Sequence, residues 1–179
     1  MNTVDREEAI NKFYIEYENK NYSKAKDLLL FIINQDNRKS FWVYSRLSSC
    51  YYELREYDKA LKYATLAYRL QPKSPIVLWD YAGVLIAVKK ERRAIKLLFK
   101  IQEMQDDLTI YGFSHPQKNW MRAIKNDCNF LIAKAYYIIC EDELAKEYFN
   151  KYLLSRSKET IYTKKQVLTY LKTIENVSK

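Results

Sequence analysis

Few residues in this chain could do covalent or acid–base chemistry, and they are scattered. His115 is the sole histidine of 179 residues. It stands in Ser114-His115-Pro116-Gln117, which reads as a helix start, with a Ser N-cap, Gln at the third position and proline in the first turn. A histidine placed there faces water or caps the helix and has no nucleophile to activate. Cys50, Cys128 and Cys140 are odd in number and none forms a C-x-x-C pair, so reduced thiols in a cytoplasmic protein are expected. No His/Cys/Asp group has metal-ligand spacing. Gly83 and Gly112 are the only glycines, which excludes a Gly-rich phosphate loop. The expectation is a protein with no catalytic residues, no metal and no cofactor. The acidic run Glu141-Asp142-Glu143 reads as a solvated turn between helices. The densest positive patch is Lys89, Lys90, Arg92 and Arg93, continued by Lys96 and Lys100, and it would suit an acidic partner.

What must position these residues is helical. Two glycines and three prolines starve the chain of hairpin turns. Seventeen tyrosines suit half-buried helix faces, because the ring packs while the hydroxyl reaches water. The net charge of +9 is uneven: nil over residues 1–40, +4 over 41–108 and +5 over 109–179. Acids interleave with the bases throughout, so no dense stripe for nucleic acid forms and none is expected as a partner. An RNA-associated helical repeat rests on the charge alone. No apolar run reaches spanning length and no basic-then-apolar leader opens Met1–Tyr17, so no membrane association is expected.

The organising stretch is Phe41–Pro72, two amphipathic helices joined by a short polar turn. Tyr44, Leu47, Ser48 and Tyr51, then Ala60, Ala64, Ala67 and Pro72, resemble the tetratricopeptide repeat (TPR) pattern W-x2-L-G-x2-Y…A-x3-F…P. Tyr replaces Trp, Ser replaces Gly, and Ala replaces Phe. Small residues at Ser48 and Ala60 let the helices approach, and Pro72 stops the second helix. Upstream, Glu18–Ala25 matches Glu53–Ala60 in type, placing Ala25 opposite Ala60. Asp5 with Glu8 is an acidic capping box for a helix from Val4, whose apolar face is Ala9, Ile10, Phe13, Tyr14 and Tyr17. Its partner helix, Lys24–Asn34, turns Leu28, Leu29, Ile32 and Ile33 inward, and Asn34-Gln35-Asp36-Asn37 breaks it. Lys12 falls where Leu47 would, so this repeat is degenerate.

Downstream, Ser74-Pro75 opens a third pair with Leu78, Tyr81, Ala82 and Leu85, then Ala94, Leu98 and Ile101; Asp106 replaces the closing proline. Ala94 lies 34 residues after Ala60, whereas the next matching alanine, Ala145, lies 51 after Ala94. The extra material is an insert over 107–125, read as the loop Leu108–Phe113 followed by a helix running unbroken from Pro116 to about Cys140. Ala145, Phe149 and Tyr152 mark the fourth second helix. Thr163 and Gln166 form a capping box before a last helix with Val167, Tyr170, Leu171 and Ile174 on one stripe. The expectation is an all-α, single-domain TPR-type right-handed solenoid with repeats near 6–37, 41–72, 75–106 and 126–157 and a capping helix over 163–177.

TPR proteins bind partners chiefly along the concave face of the first helices. The resemblance therefore implies a groove of Ile10, Tyr14 and Tyr17, then Trp42, Ser45, Arg46, Ser49 and Tyr52. Ile76, Trp79, Asp80, Gly83 and Ile86 follow, then Phe130, Lys134 and Tyr137. Ile10 and Tyr14 stand where one subfamily grips carboxylates of chaperone tails, which excludes that role. The implied function is a non-catalytic adaptor holding a partner peptide or helix. The alternative is a dedicated chaperone or immunity protein neutralising one partner encoded nearby, as in small bacterial TPR proteins. The Lys/Asn/Ile/Tyr-rich composition fits a bacterial, AT-rich source. An exposed Trp42/Trp79 groove could also bury itself in a homodimer.

Overall fold

The computed structural model describes residues 6–35, 40–107 and 119–177. The expected starts at Val4-Asp5 and Ser114–Gln117 with His115, the break at Asp36-Asn37, and the loop Leu108–Phe113 lie outside them. Among the described residues the regular structure is all α-helical. The helices are α1 (Arg6–Glu18), α2 (Tyr22–Gln35), α3 (Phe41–Glu53), α4 (Tyr57–Leu70), α5 (Pro75–Ala87), α6 (Glu91–Gln102), α7 (Trp120–Ile138), α8 (Asp142–Leu154) and α9 (Lys164–Val177). The chain divides into two compact units, Met1–Pro72 and Lys73–Lys179.

In the first unit, α3 and α4 close on the small residues of the repeat pattern. Ala60, Ala64 and Ala67 are buried against Leu47, Ser48 and Tyr51. Ser48 is more than a small residue, for its hydroxyl donates to the Ala60 carbonyl at 2.9 Å across the seam. Tyr63 stacks on Tyr51 with centroids 5.4 Å apart, so tyrosine fills the seam the alanines leave. The Ser40 side chain accepts from the Val43 N–H and starts α3. In α1, Lys12 does not enter the core. It pairs with Glu8 at 2.6 Å in water, while Phe13 is fully buried. Helix α2 begins at Tyr22, before the expected Lys24, and buries Ala25, Leu29 and Ile32 while Leu28 and Ile33 stay half-buried.

The second unit pairs α5 with α6 and α7 with α8. Pro75 stands at the first turn of α5, as expected. Ser74 is its N-cap residue, yet its hydroxyl makes no capping bond. Ala94, Leu98 and Ile101 of α6, and Ala145, Phe149 and Tyr152 of α8, are all fully buried. The described part of α7 spans 19 residues from Trp120, shorter than the run expected from Pro116 to Cys140. It ends at Ile138 because Cys140 turns into the left-handed region, φ 60°. The α6–α7 link is tied by Lys125, whose ammonium donates to Asp106 at 2.8 Å and to the Met104 carbonyl. At Thr163 the capping box forms: its hydroxyl accepts from the Gln166 N–H, and Gln166 accepts from the Thr163 N–H.

Candidate partner-binding surface

On the first unit, α1 and α3 present an aromatic surface. Trp42 packs edge-on to Phe13, with centroids 5.6 Å apart, and lies 6.0 Å from the ring of Tyr14, which is 46% exposed. Phe13 is the buried floor of this cluster, and Tyr17 bridges it to Tyr22. Ile10, Trp42, Arg46, Ser49 and Tyr52 are half-buried. The Ser49 hydroxyl is turned back to the Ser45 carbonyl at 3.2 Å, and Tyr52 packs edge-on to Tyr57. Ser45, expected among the lining residues, is instead buried.

On the second unit, Ile76, Trp79, Asp80 and Gly83 of α5 are half-buried, and Ile86 is buried. A Cβ added at Gly83 would meet nothing within 4 Å, so this helical glycine leaves open space. The indole N–H of Trp79 is buried without an acceptor among the described residues. On α7, burial holds the Lys134 ammonium below its ordinary pKa.

Phe130 requires correction. It was expected to line an open groove, but it is 3% exposed, because Tyr162 stacks on it with centroids 3.8 Å apart and planes 12° apart. Tyr137 is half-buried and packs edge-on to Tyr170 of α9. Sequence reading passed over Asp127, the buried acid beneath this cover. Its carboxylate accepts the Ile161 N–H at 3.1 Å and 3.3 Å, and burial pushes its pKa up to about 6. The signal was a charged residue on the face that otherwise carries Ile76 and Trp42.

The basic turn lies between α5 and α6. Lys89, Lys90, Arg92 and Arg93 are all exposed, with Arg93 over the ring of Tyr81 at 5.4 Å. Lys90 is the N-cap residue of α6 and Arg92 and Arg93 lie in its first turn, where the helix dipole disfavours cations. Of the cysteines, Cys50 and Cys128 are buried and Cys140 is exposed. Burial pushes the Cys50 thiol up to about 12 and Cys128 also upward, away from reactivity. Among the described residues, no three His, Cys, Asp or Glu side chains gather as a metal site, and no helix is long and apolar enough to cross a membrane.

No protein-family profile matches the sequence, and no curated protein matches it. Solved structures do match in fold. A double mutant of MamA RS-1 superposes with a TM-score of 0.64 over 97% of this chain and 96% of its own, at 12% identity. MamA MSR-1 gives 0.60 over 84% of this chain and 76% of its own, at 16% identity. A tetratricopeptide repeat protein from Parabacteroides merdae gives 0.50 over 98% and 86%, at 15% identity. The chain has a TPR-type helical-repeat fold.

Proposed function

We propose that this TPR-type chain is a non-catalytic protein-binding module. Its partner lies against the exposed sides of the first helices of each pair: α1 and α3 in the first unit, α5 and α7 in the second. The observation that carries the reading is the Phe13–Tyr14–Trp42 cluster. A buried ring fixes Trp42 and the half-exposed Tyr14 in place, so little side-chain entropy is lost when a partner covers them. At Gly83 the open space admits a partner side chain, and the half-buried Lys134 ammonium favours an acceptor group. The test is affinity capture with the wild-type chain beside a Trp42→Ala/Trp79→Ala variant, with helix content checked by circular dichroism. Partners lost from a folded variant support the reading; identical partners on both refute it. A single stoichiometric partner would identify a dedicated chaperone or immunity protein, and several weaker ones an adaptor.

A further inference from the structure

Counted back from the matching alanines Ala94 and Ala145, Asp127, Phe130, Lys134 and Tyr137 of α7 hold the register positions of Ile76, Trp79, Gly83 and Ile86 of α5. On α7, that side carries the chain's own α8–α9 link. Asp127, 1% exposed, spreads both carboxylate oxygens over the Ile161 N–H and also accepts from the Tyr162 N–H. The next shelf along the helix is Phe130, on which the Tyr162 ring lies flat. The Tyr162 carbonyl accepts from the Tyr152 hydroxyl and, at 3.4 Å, from the Arg156 guanidinium.

This is the chemistry of peptide capture. A carboxylate accepting consecutive main-chain N–H groups grips an extended segment whatever its side chains, and an aromatic shelf one turn away selects a ring. The link itself is lightly covered. Ile161 is 63% exposed and Leu154, at the end of α8, is 87% exposed. Helix α9 is seated separately, through the fully buried Val167 and Ile174 and through Tyr170 against Phe149. The link can therefore leave its seat without undocking α9. Resting on the reading of the first helices as the binding side, we propose that Ile161-Tyr162 is a displaceable occupant of α7. A partner peptide presenting two main-chain N–H groups and an aromatic ring takes the same seat.

The probe is a fluorescent peptide of the chain's own residues 158–163, Lys-Glu-Thr-Ile-Tyr-Thr, titrated onto the full chain. Tyr162→Ala empties the shelf but keeps Phe130, and is expected to bind the peptide at least tenfold tighter than wild type. Adding Phe130→Ala or Asp127→Ala should abolish the gain, as should a probe carrying Ala for Tyr. A peptide affinity no higher in Tyr162→Ala than in wild type overturns the proposal. Should that variant misfold, amide exchange on the wild-type chain decides. Ile161 and Tyr162 opening before the α7 and α8 amides supports a displaceable occupant, and their exchanging together with α7 and α8 refutes it. Failure here, with partner capture still sensitive to Trp42 and Trp79, removes the occupant and leaves the binding-module reading standing.

Discussion

Lys20, Arg55, Lys89 and Cys140 all take left-handed backbone, with φ between 58° and 61°. Each ends the first helix of a pair, and the following N–H reaches back five residues: Asn21 to Glu16, Glu56 to Tyr51, Lys90 to Leu85, Glu141 to Tyr136. This helix C-terminal motif ordinarily places glycine at the left-handed position. The chain has none there, and bears the steric cost of a Cβ four times. Arg55→Gly is therefore expected to stabilise by about 0.5–1 kcal/mol, read as a rise in denaturation midpoint at unchanged slope. Asp127 supplies a second prediction. Its pKa is raised from 3.8 to about 6, chiefly by desolvation, so the folded chain binds the proton more tightly than the unfolded one. The stabilising contribution is full below about 4 and is lost as pH rises through about 6. The groups that feel its charge are the Tyr152 phenol and the Cys128 thiol. Burial holds both above their ordinary values, so neither titrates in this window. Thermal scans should show Asp127→Asn gaining on wild type between pH 4 and 7; parallel pH profiles would contradict this.

At the scale of elements, α3 is held to α4 by a contact of small residues with a polar bond inside it. The Ser48 hydroxyl to the Ala60 carbonyl is legible only after folding, since sequence showed just a Ser where the repeat has Gly. Ala60 is fully buried, and Ala60→Leu would wedge α3 from α4 at a cost of roughly 1–3 kcal/mol. A matching loss in equilibrium denaturation checks it. Helix α9 depends on its capping box. Thr163→Ala removes the acceptor for the Gln166 N–H and should cost about 1 kcal/mol. The effect should appear as faster amide exchange in the first turn of α9, with α7 unaffected. The elements themselves were visible in advance because burial and periodicity coincide. Ala25, Ala60, Ala94 and Ala145 are all 0% exposed.

At the scale of the whole molecule, binding is where the predictions lie. Gly83 sits inside α5 with open space around it, so Gly83→Arg should leave stability unchanged or slightly raised, since glycine costs about 0.5–1 kcal/mol in a helix interior. The same variant should weaken partner capture at least tenfold. A folded variant with full capture would place the partner elsewhere. The next place would be the basic turn, where reversing Lys90, Arg92 and Arg93 isolates the electrostatic share of binding. That share should also fall with added salt, because all three are exposed.

The sequence by itself determined the helix pairs, their order and the seam alanines. A period near 34 residues and an apolar stripe are local properties, written in the spacing of side chains along one helix. It also held the C-terminal capping box, Thr163–Gln166, four residues long and self-contained. Only the tertiary structure decided which lining residues stay open. Phe130 and Trp79 share a register position, yet Phe130 is covered because Tyr162 returns to it from a distant link and Asp127 grips the main chain beside it. Such a closure pairs residues more than thirty positions apart through backbone N–H groups that every residue carries. No spacing along the chain encodes it.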